Sequence, residues 1–369
     1  MVDRFANIAN ESKQKHFDKL NEYRNKLIKE PDLKQLFIEM TLNCNEHCLH
    51  CGSNCSINAE TDKPLSDLEI INFLLVLKKQ LENDKKRLPF LDVTGGEPML
   101  RPNFITLMST IRELGYKWGM TSNGLLIDEK SAQALKDAGM SSVAISLDGL
   151  EDTHNWFRQN KNAYKLALRA IRCLSKLSFK DVMVTTVVNS RNINELDEIK
   201  KIVLSTGCST WRIISLDPIG RALKNKDIFI NEEQYKYMID YIVKQRELDD
   251  INVIYGCNYY LGLNYERKTR PWYYMCQAGI TVGGLQYNGN ISACLDIERR
   301  PDLIFGNIRK DDFYDKWKNE FKIFRQNKEL LSSKCSKCKA KNNCHGGGWH
   351  TWDFDKDEPR VCMYEILND

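Results

Sequence analysis

The segment CNEHCLHCGSNC, running from Cys44 to Cys55, spaces four cysteines at intervals of three, two and three residues. Thiolates are soft ligands: four of them saturate an iron-sulfur cluster or a tetrahedral zinc, and three leave one metal position free. The gaps between Cys44, Cys48 and Cys51 let one short loop wrap a corner of a cluster, which makes Cys55 either the fourth ligand of a zinc loop or a spare thiol. A second group lies near the carboxyl end. CSKCKAKNNC supplies Cys335, Cys338 and Cys344, Cys362 follows, and four thiolates again suffice for one complete cluster or a zinc ribbon. Cys276 and Cys294 bracket a turn containing Gly289, and Cys257, flanked by Gly256 and Asn258, is a loop ligand or a buried packing thiol. Cys173 and Cys208 fall in helical or strand-edge patterns without partners and are expected to pack.

Other polar residues stand in patterns that suit a small ligand. In Gly95-Gly96-Glu97-Pro98 two glycines allow close backbone approach, and the carboxylate is an acceptor suited to a cationic amino group. TSNG contains Ser122 and Asn123, SLDG contains Ser146 and Asp148, and each reads as ligand contact or as ordinary turn chemistry. Arg158 carries a guanidinium that fits a carboxylate bidentately, or is a solvated surface charge.

These residues need a scaffold, and the hydrophobic pattern supplies one. Apolar runs at 36–41, 90–95, 117–122, 142–149, 182–189 and 211–218 alternate with amphipathic stretches, several of which end at glycine. Repeated strand-helix-strand units predict a parallel sheet, open or curled into a barrel, with chemistry at the carboxyl ends of the strands. All the residues above up to Asp148 follow such a strand. Residues 12–30 have the period of an exposed amphipathic helix, and after about residue 225 the alternation is expected to stop at a connecting helix over 231–250.

Composition narrows the function classes. Lys+Arg of 54 against Asp+Glu of 50 gives +4 with mixed signs and no basic block, so no nucleic-acid partner is expected. The start is polar and no stretch reaches the ~18 apolar residues that span a bilayer, so the expectation is a cytoplasmic protein without a membrane partner. In that compartment thirteen cysteines are metal ligands or catalytic groups before they are disulfides.

CX3CX2C after the first strand, with His50 before its last cysteine, together with GGEP after the second, resembles the radical S-adenosylmethionine enzymes. The tail resembles their SPASM extension, whose pattern is CX9-15GX4C, then CX2CX5CX3C, then a final cysteine. The likeness covers roughly residues 34–369. It implies an α/β fold, a partial (β/α)6 TIM-like barrel with a cysteine-rich extension: a helical lead-in over 1–33, the barrel over 34–225, a connecting segment over 226–275 and the auxiliary-cluster domain over 276–369. Cys44, Cys48 and Cys51 are then ligands of a 4Fe-4S cluster whose open iron binds S-adenosylmethionine, and reductive cleavage gives a 5′-deoxyadenosyl radical that abstracts a substrate hydrogen. Gly95, Gly96, Glu97 and Pro98 are implied at the cofactor amino group, and Ser122, Asn123, Ser146, Asp148 and Arg158 at its ribose and carboxylate.

In the tail the resemblance implies a complete auxiliary 4Fe-4S cluster on Cys335, Cys338, Cys344 and Cys362. A second auxiliary iron-sulfur cluster is expected on three cysteines, Cys257, Cys276 and Cys294, because Gly348 stands where the pattern has a cysteine. His345 or His350 fills that vacancy, or a substrate group does, or the cluster is smaller or absent.

The SPASM enzymes mostly act on peptides. The expected function is therefore a peptide maturase that removes hydrogen from a ribosomally made precursor, giving a C-C or thioether crosslink or an epimerised residue. A flavodoxin- or ferredoxin-type electron donor is implied. The segment before the first strand is expected to be too short for a winged-helix leader-binding module, which leaves a separate recognition protein or direct binding by the barrel and tail. The aromatic run at 259–275 lines a peptide groove or packs between domains. Cys55 is a candidate hydrogen donor for epimerisation, or a structural thiol. The alternatives are a formylglycine-forming sulfatase-type maturase, against which Gly348 counts, and a non-catalytic iron-sulfur carrier, which needs no cofactor-amine site.

Overall fold

Each of the six apolar runs becomes a parallel strand, and along the first, second and sixth of them buried residues alternate with half-buried ones. The computed structural model describes residues 2–368, with side chains from Glu11 onward. After helix α1 (Val2–Lys29) the chain alternates β1 (Gln35–Glu39), α2 (Asp67–Asn83), β2 (Phe90–Thr94), α3 (Phe104–Glu113), β3 (Trp118–Ser122), α4 (Glu129–Asp137) and β4 (Met140–Ser146). It continues with α5 (Glu151–Arg158), α6 (Ala163–Ser175), β5 (Asp181–Val188), α7 (Leu196–Ser205) and β6 (Thr210–Ser215).

The alternation does not stop there. Helix α8 (Glu232–Leu248), begun by a capping box of Asn231 and Gln234, leads into β7 (Asn252–Tyr255), which pairs parallel to β6. The tail contributes as well: β8 (Val282–Leu285) pairs parallel to β1 and turns into the antiparallel β9 (Ile291–Ser292). The sheet order is β7-β6-β5-β4-β3-β2-β1-β8-β9, with β7 and β9 as edges, so it is an unclosed, partial barrel. The cysteine-rich tail is thus hydrogen-bonded into the same sheet as the barrel.

Local signals place the helices. Ser66 and Glu69 form a reciprocal capping box at the start of α2, whose Ile70, Phe73, Leu74, Leu77 and Leu81 form the buried stripe. Trp118 and Trp211 are fully buried, and their indole N–H groups donate to Ala138 O at 3.1 Å and to Thr186 Oγ1 at 2.9 Å. Among the described residues no helix is long and apolar enough to cross a membrane.

The lead-in helix is more than an exposed appendage. Phe17 on α1 is fully buried, edge-on to Tyr260 at 5.4 Å and to Tyr273 at 5.0 Å. Gln14 and Asn343 exchange amide hydrogen bonds of 3.1 and 2.9 Å, and Asn21 donates to Asn342 O at 2.8 Å. The helix therefore docks on the CX2CX5C loop, and the aromatic run after residue 258 is largely its packing surface. Phe17→Ala should cost about 3–5 kcal/mol, the usual range for emptying a buried phenylalanine site, and lower the denaturation midpoint, whereas exposed Lys15→Ala on the same helix should leave it unchanged.

Candidate cofactor and cluster sites

The loop after β1 and the loops after β2, β3 and β4 meet at the carboxyl ends of the strands around a cavity of about 320 Å³. Cys44, Cys48, Cys51 and Cys55 all line it, as do Gly95 and Gly96. Donors reach the sulfurs: Asn123 Nδ2 lies 3.8 Å from Cys44 Sγ, Arg158 Nη1 3.6 Å from Cys48 Sγ, and the Cys55 N–H 3.3 Å from Cys51 Sγ. Such contacts stabilise thiolate ligands.

The four thiols are not equivalent. The Cys55 thiol hydrogen-bonds Cys51, which pulls the Cys51 pKa down and pushes that of Cys55 up, and it also reaches Gly95 O at 3.7 Å. Burial raises Cys44 to about 11 and pushes Cys48 up as well, opposed at Cys48 by the Arg158 guanidinium. Metal binding at these two must therefore release protons, a cost that bonds to iron offset.

Three of the expected cofactor contacts, Glu97, Pro98 and Asp148, stand behind the cavity wall. Glu97 is fully buried, and its carboxylate accepts from Ser122 Oγ at 2.9 and 3.0 Å, the Asn123 N–H at 2.9 Å and the Met99 N–H at 3.3 Å. It caps the short 3-10 turn that Pro98 begins, and burial raises its pKa to about 7. Asp148 is likewise fully buried, held by Arg158 Nε at 2.6 Å and the Val187 N–H at 2.8 Å. The wall itself consists of Gly95, Gly96, Ser122, Asn123, Ser146 and Arg158. Glu97 and Asp148 hold those residues in place.

The glycines also have a different neighbour from the one their type suggests. A Cβ on Gly96 would lie 2.2 Å from Asn43 O, and one on Gly95 (φ +148°) would lie 2.4 Å from Thr41 O. The close approach is to the protein's own backbone, where Gly96 N–H donates to Thr41 O at 2.7 Å and Glu97 N–H to Asn43 O at 2.9 Å. GGEP is thereby locked to the strand end that launches the cysteine loop.

Of the other residues here, sequence reasoning missed Glu46, Arg212 and Asp296. Glu46, 4 % exposed, lies 3.5 Å from Cys48 Sγ and 3.6 Å from Arg158, and burial raises its pKa to about 7. Arg221 clamps the loop from β6, donating from Nε to Cys48 O at 2.8 Å and from its N–H to Cys51 O at 3.0 Å. His50 stacks on Phe157 at 4.1 Å. Further along, the cavity wall includes Arg212, Asp217 and Asp296. Only a strand-end position signals such residues in the sequence.

In the tail, Cys335, Cys338, Cys344 and Cys362 line a second cavity, of about 410 Å³. The Ala340 N–H reaches Cys338 Sγ at 3.4 Å, and Ser332 Oγ accepts from the Cys335 N–H at 3.2 Å. Four free thiols around one cavity fit a cluster. Cys276 packs with Cys338 and Cys344 against Phe17, Tyr260 and Tyr274. Cys294 feels the charges of Asp296 and Cys276, while burial pushes its pKa up. Cys257 turns elsewhere: its sulfur accepts from Ser215 N at 3.2 Å and Ser215 Oγ at 3.3 Å, inside the barrel core. Cys276 and Cys294 thus lie within reach of each other's charge, and all three thiols pack on the same core, with Cys257 hydrogen-bonded to Ser215.

Both histidines considered for that cluster are also turned to other neighbours. His345 Nε2 lies 2.9 Å from Asn21 Oδ1. The His350 ring fills the place a side chain at Gly348 would take, since a Cβ there would be 2.3 Å from two ring atoms, and its Nε2 is 3.8 Å from Asp217 Oδ1.

One carboxylate offers a pH test. Asp92 on β2 accepts from Gln35 Nε2 at 3.2 Å, and burial raises its pKa to about 7, opposed by Arg212. The folded state then binds this proton more tightly than the unfolded chain, so stability falls as pH rises from the ordinary carboxylate range through about 7. Asp92→Asn should raise the denaturation midpoint at pH 8 and leave it unchanged near pH 4.

Comparison with known proteins agrees with this geometry. Residues 38–203 match the family model of the radical SAM superfamily, and residues 276–339 match that of SPASM, an iron-sulfur cluster-binding domain. The AdoMet-dependent heme synthase of Methanosarcina barkeri is 24 % identical over 88 % of this chain and 95 % of its own. The mycofactocin maturase MftC of Mycobacterium tuberculosis is 28 % identical over 84 % of this chain and 76 % of its own. In fold, the chain resembles Streptococcus suis SuiB bound to S-adenosylmethionine, with TM-score 0.69, 17 % identity and coverage of 92 % of this chain and 78 % of that one. It also resembles anSMEcpe with bound AdoMet, with TM-score 0.67, 18 % identity and coverage of 90 % and 94 %. The chain is therefore an enzyme that carries a radical SAM domain and a SPASM domain, and these two domains indicate 4Fe-4S clusters and bound S-adenosylmethionine.

Proposed function

We propose that this enzyme is a peptide maturase, removing a hydrogen atom from a residue of a ribosomally made precursor to give a C-C or thioether crosslink or an epimerised centre. The observation that carries the reading is the shape of the first cavity: it runs without a break from Cys44, Cys48 and Cys51 to Arg212, Asp217 and Asp296. A substrate side chain inserted there meets polar groups at one end and the cluster at the other. Among the structures of similar fold, SuiB has been solved bound to its precursor peptide SuiA. MftC is named a maturase.

In this reading Cys44, Cys48 and Cys51 hold a 4Fe-4S cluster, and Gly95, Gly96, Ser122, Asn123, Ser146 and Arg158 bound the space for S-adenosylmethionine. When bound, that pair supplies the 5′-deoxyadenosyl radical that takes the substrate hydrogen. The protein's part is positioning and exclusion. Arg158, fixed by Asp148 and Glu46, presents Nη1 beside Cys48, where it balances negative charge. Glu97 holds the Ser122-Asn123 turn against the cysteine loop. Buried walls keep water and stray hydrogen donors from the reacting atoms.

Cys335, Cys338, Cys344 and Cys362 hold an auxiliary 4Fe-4S cluster that accepts electrons when crosslinking oxidises the substrate. Cys276, Cys294 and Cys257 remain the candidates for a further one. An external flavodoxin- or ferredoxin-type protein delivers the initiating electron, and leader recognition falls to a separate protein or to the barrel and tail.

A second reading, action on a tetrapyrrole, is favoured by one feature besides the heme synthase relatives. Arg212 lines the cavity, donating from Nε to Thr185 Oγ1 at 3.2 Å with Asp296 and Asp92 as the first carboxylates acting on it, and a guanidinium at that place can also receive a substrate carboxylate.

Anaerobic reconstitution followed by dithionite and S-adenosylmethionine should yield 5′-deoxyadenosine. Cys44→Ala, Cys48→Ala and Cys51→Ala should each reduce the yield at least ~100-fold, a loss of about 2.7 kcal/mol or more in barrier terms, while Cys55→Ala retains it. No product from the iron-loaded wild type would refute the enzyme reading. Substrate arms then separate the two readings, since a precursor peptide should raise turnover in the first and an iron porphyrin in the second. In the epimerase branch, Cys55→Ala should lose deuterium incorporation at the substrate α-carbon, and unchanged incorporation would remove Cys55 as the donor.

A further inference from the structure

Lys328 is the most unusual charged residue outside the first cavity. It is 3 % exposed, and its Nζ has no hydrogen-bond partner among the described residues. The ammonium lies over two indole rings, 4.2 Å from the centre of Trp349 and 4.6 Å from that of Trp352, which are themselves 4 % and 1 % exposed. The neighbouring acid, Glu329, is turned to His345, whose Nδ1 is 3.5 Å away.

Burying an ammonium with none of its three donors satisfied costs more than a desolvated cation–π contact returns. A chain that keeps such a charge needs an anion beside it. The candidates are thiolates. Lys328 begins the short 3-10 turn Lys328–Leu330, which leads through Ser332 to the Cys335 turn, and Ser332 Oγ accepts from the Cys335 N–H. Its stem packs against Gly346, two residues after Cys344: a Cβ on Gly346 (φ +74°) would lie 3.3 Å from Lys328 Cγ and 3.2 Å from the Trp352 ring. Burial pushes the Lys328 pKa down to about 8, opposed first by the charges of Cys276, Cys344 and Cys335 and then by that of Glu329.

We propose that the Lys328 ammonium is a fixed counter-charge of the auxiliary cluster, held by the Trp349–Trp352 pair so that it faces the cluster sulfurs and raises the cluster's midpoint potential. The proposal rests on the assignment of Cys335, Cys338, Cys344 and Cys362 as ligands. Reduction adds one negative charge to the cluster, and a cation in a dry site stabilises that charge more than it does the oxidised form. The cluster thereby becomes a better acceptor of electrons leaving a substrate. Lysine suits the place because its compact charge fits over two rings, where a neutral residue of equal length would fill the volume without the field.

The test uses full-length protein carrying Cys44→Ala, Cys48→Ala and Cys51→Ala, so that only tail clusters remain, reconstituted anaerobically and titrated by electron paramagnetic resonance. The auxiliary signal is defined as the one that Cys335→Ala abolishes together with its iron. In Lys328→Met the iron content should be retained and the midpoint of that signal should move to more negative potential. Lys328→Arg, which keeps the charge, should stay nearer the parent. Where Lys328→Met holds less iron, Lys328→Gln is read in the same way on its loaded fraction. A parental midpoint in a loaded, uncharged variant overturns the role of Lys328. Full tail iron in Cys335→Ala overturns the ligand assignment and the proposal with it.

Discussion

One buried carboxylate ties the reactive end of this barrel together. Glu97 receives the hydroxyl of Ser122 and the backbone N–H groups of Asn123 and Met99, and its own N–H donates to Asn43 O. The ends of β1, β2 and β3 therefore converge on one side chain. Asn123 extends the connection, with Nδ2 at 2.7 Å from Asn45 Oδ1 and 3.8 Å from Cys44 Sγ. The glycines beside Glu97 exist to let these strand ends touch. Without that contact the cysteine loop has no fixed position relative to the wall it faces, and a cluster on it has no defined open side.

The two thiol cavities share a second feature, a buried cation apiece. Arg158 stands beside Cys48 with Asp148 and Glu46 as its acids, and Lys328 packs its stem against Gly346 of the Cys344 loop with its ammonium over two indole faces and Glu329 as the neighbouring acid in the chain. The guanidinium is shared between two acids and the Cys48 sulfur, whereas the ammonium has no hydrogen-bonded acid among the described residues. The first arrangement suits a site that must hold a zwitterionic cofactor, and the second suits a site whose task is to receive electrons.

Much of the fold was legible because buried parallel strands read as continuous apolar runs, as in VMVTTVV and WRIIS, and because GGEP and both cysteine spacings are short local patterns. What was not legible depends on direction and distance. Glu97 and Asp148 have the residue types of ligand contacts, yet both are fully buried behind the cavity lining, in hydrogen bonds with Ser122, Asn123 and Arg158. NVIY and VGGL are four-residue strands whose identity comes from pairing with β6 and β1, not from periodicity. The docking of α1 on the Asn342-Asn343 loop joins segments more than 300 residues apart, and Lys328 looks like any surface lysine until the Trp349 and Trp352 rings close over it. Cys257 has a loop-like sequence context but lies against Ser215 in the core.

The central claim is that the first cavity holds a cluster with one iron left to bind the cofactor amino group. Electron-nuclear double resonance on the dithionite-reduced enzyme, with S-adenosylmethionine labelled with 15N at that group, addresses it directly. The account predicts a hyperfine coupling between the cluster and the labelled nitrogen that disappears in Cys48→Ala. A reduced, iron-loaded enzyme with no such coupling would contradict it.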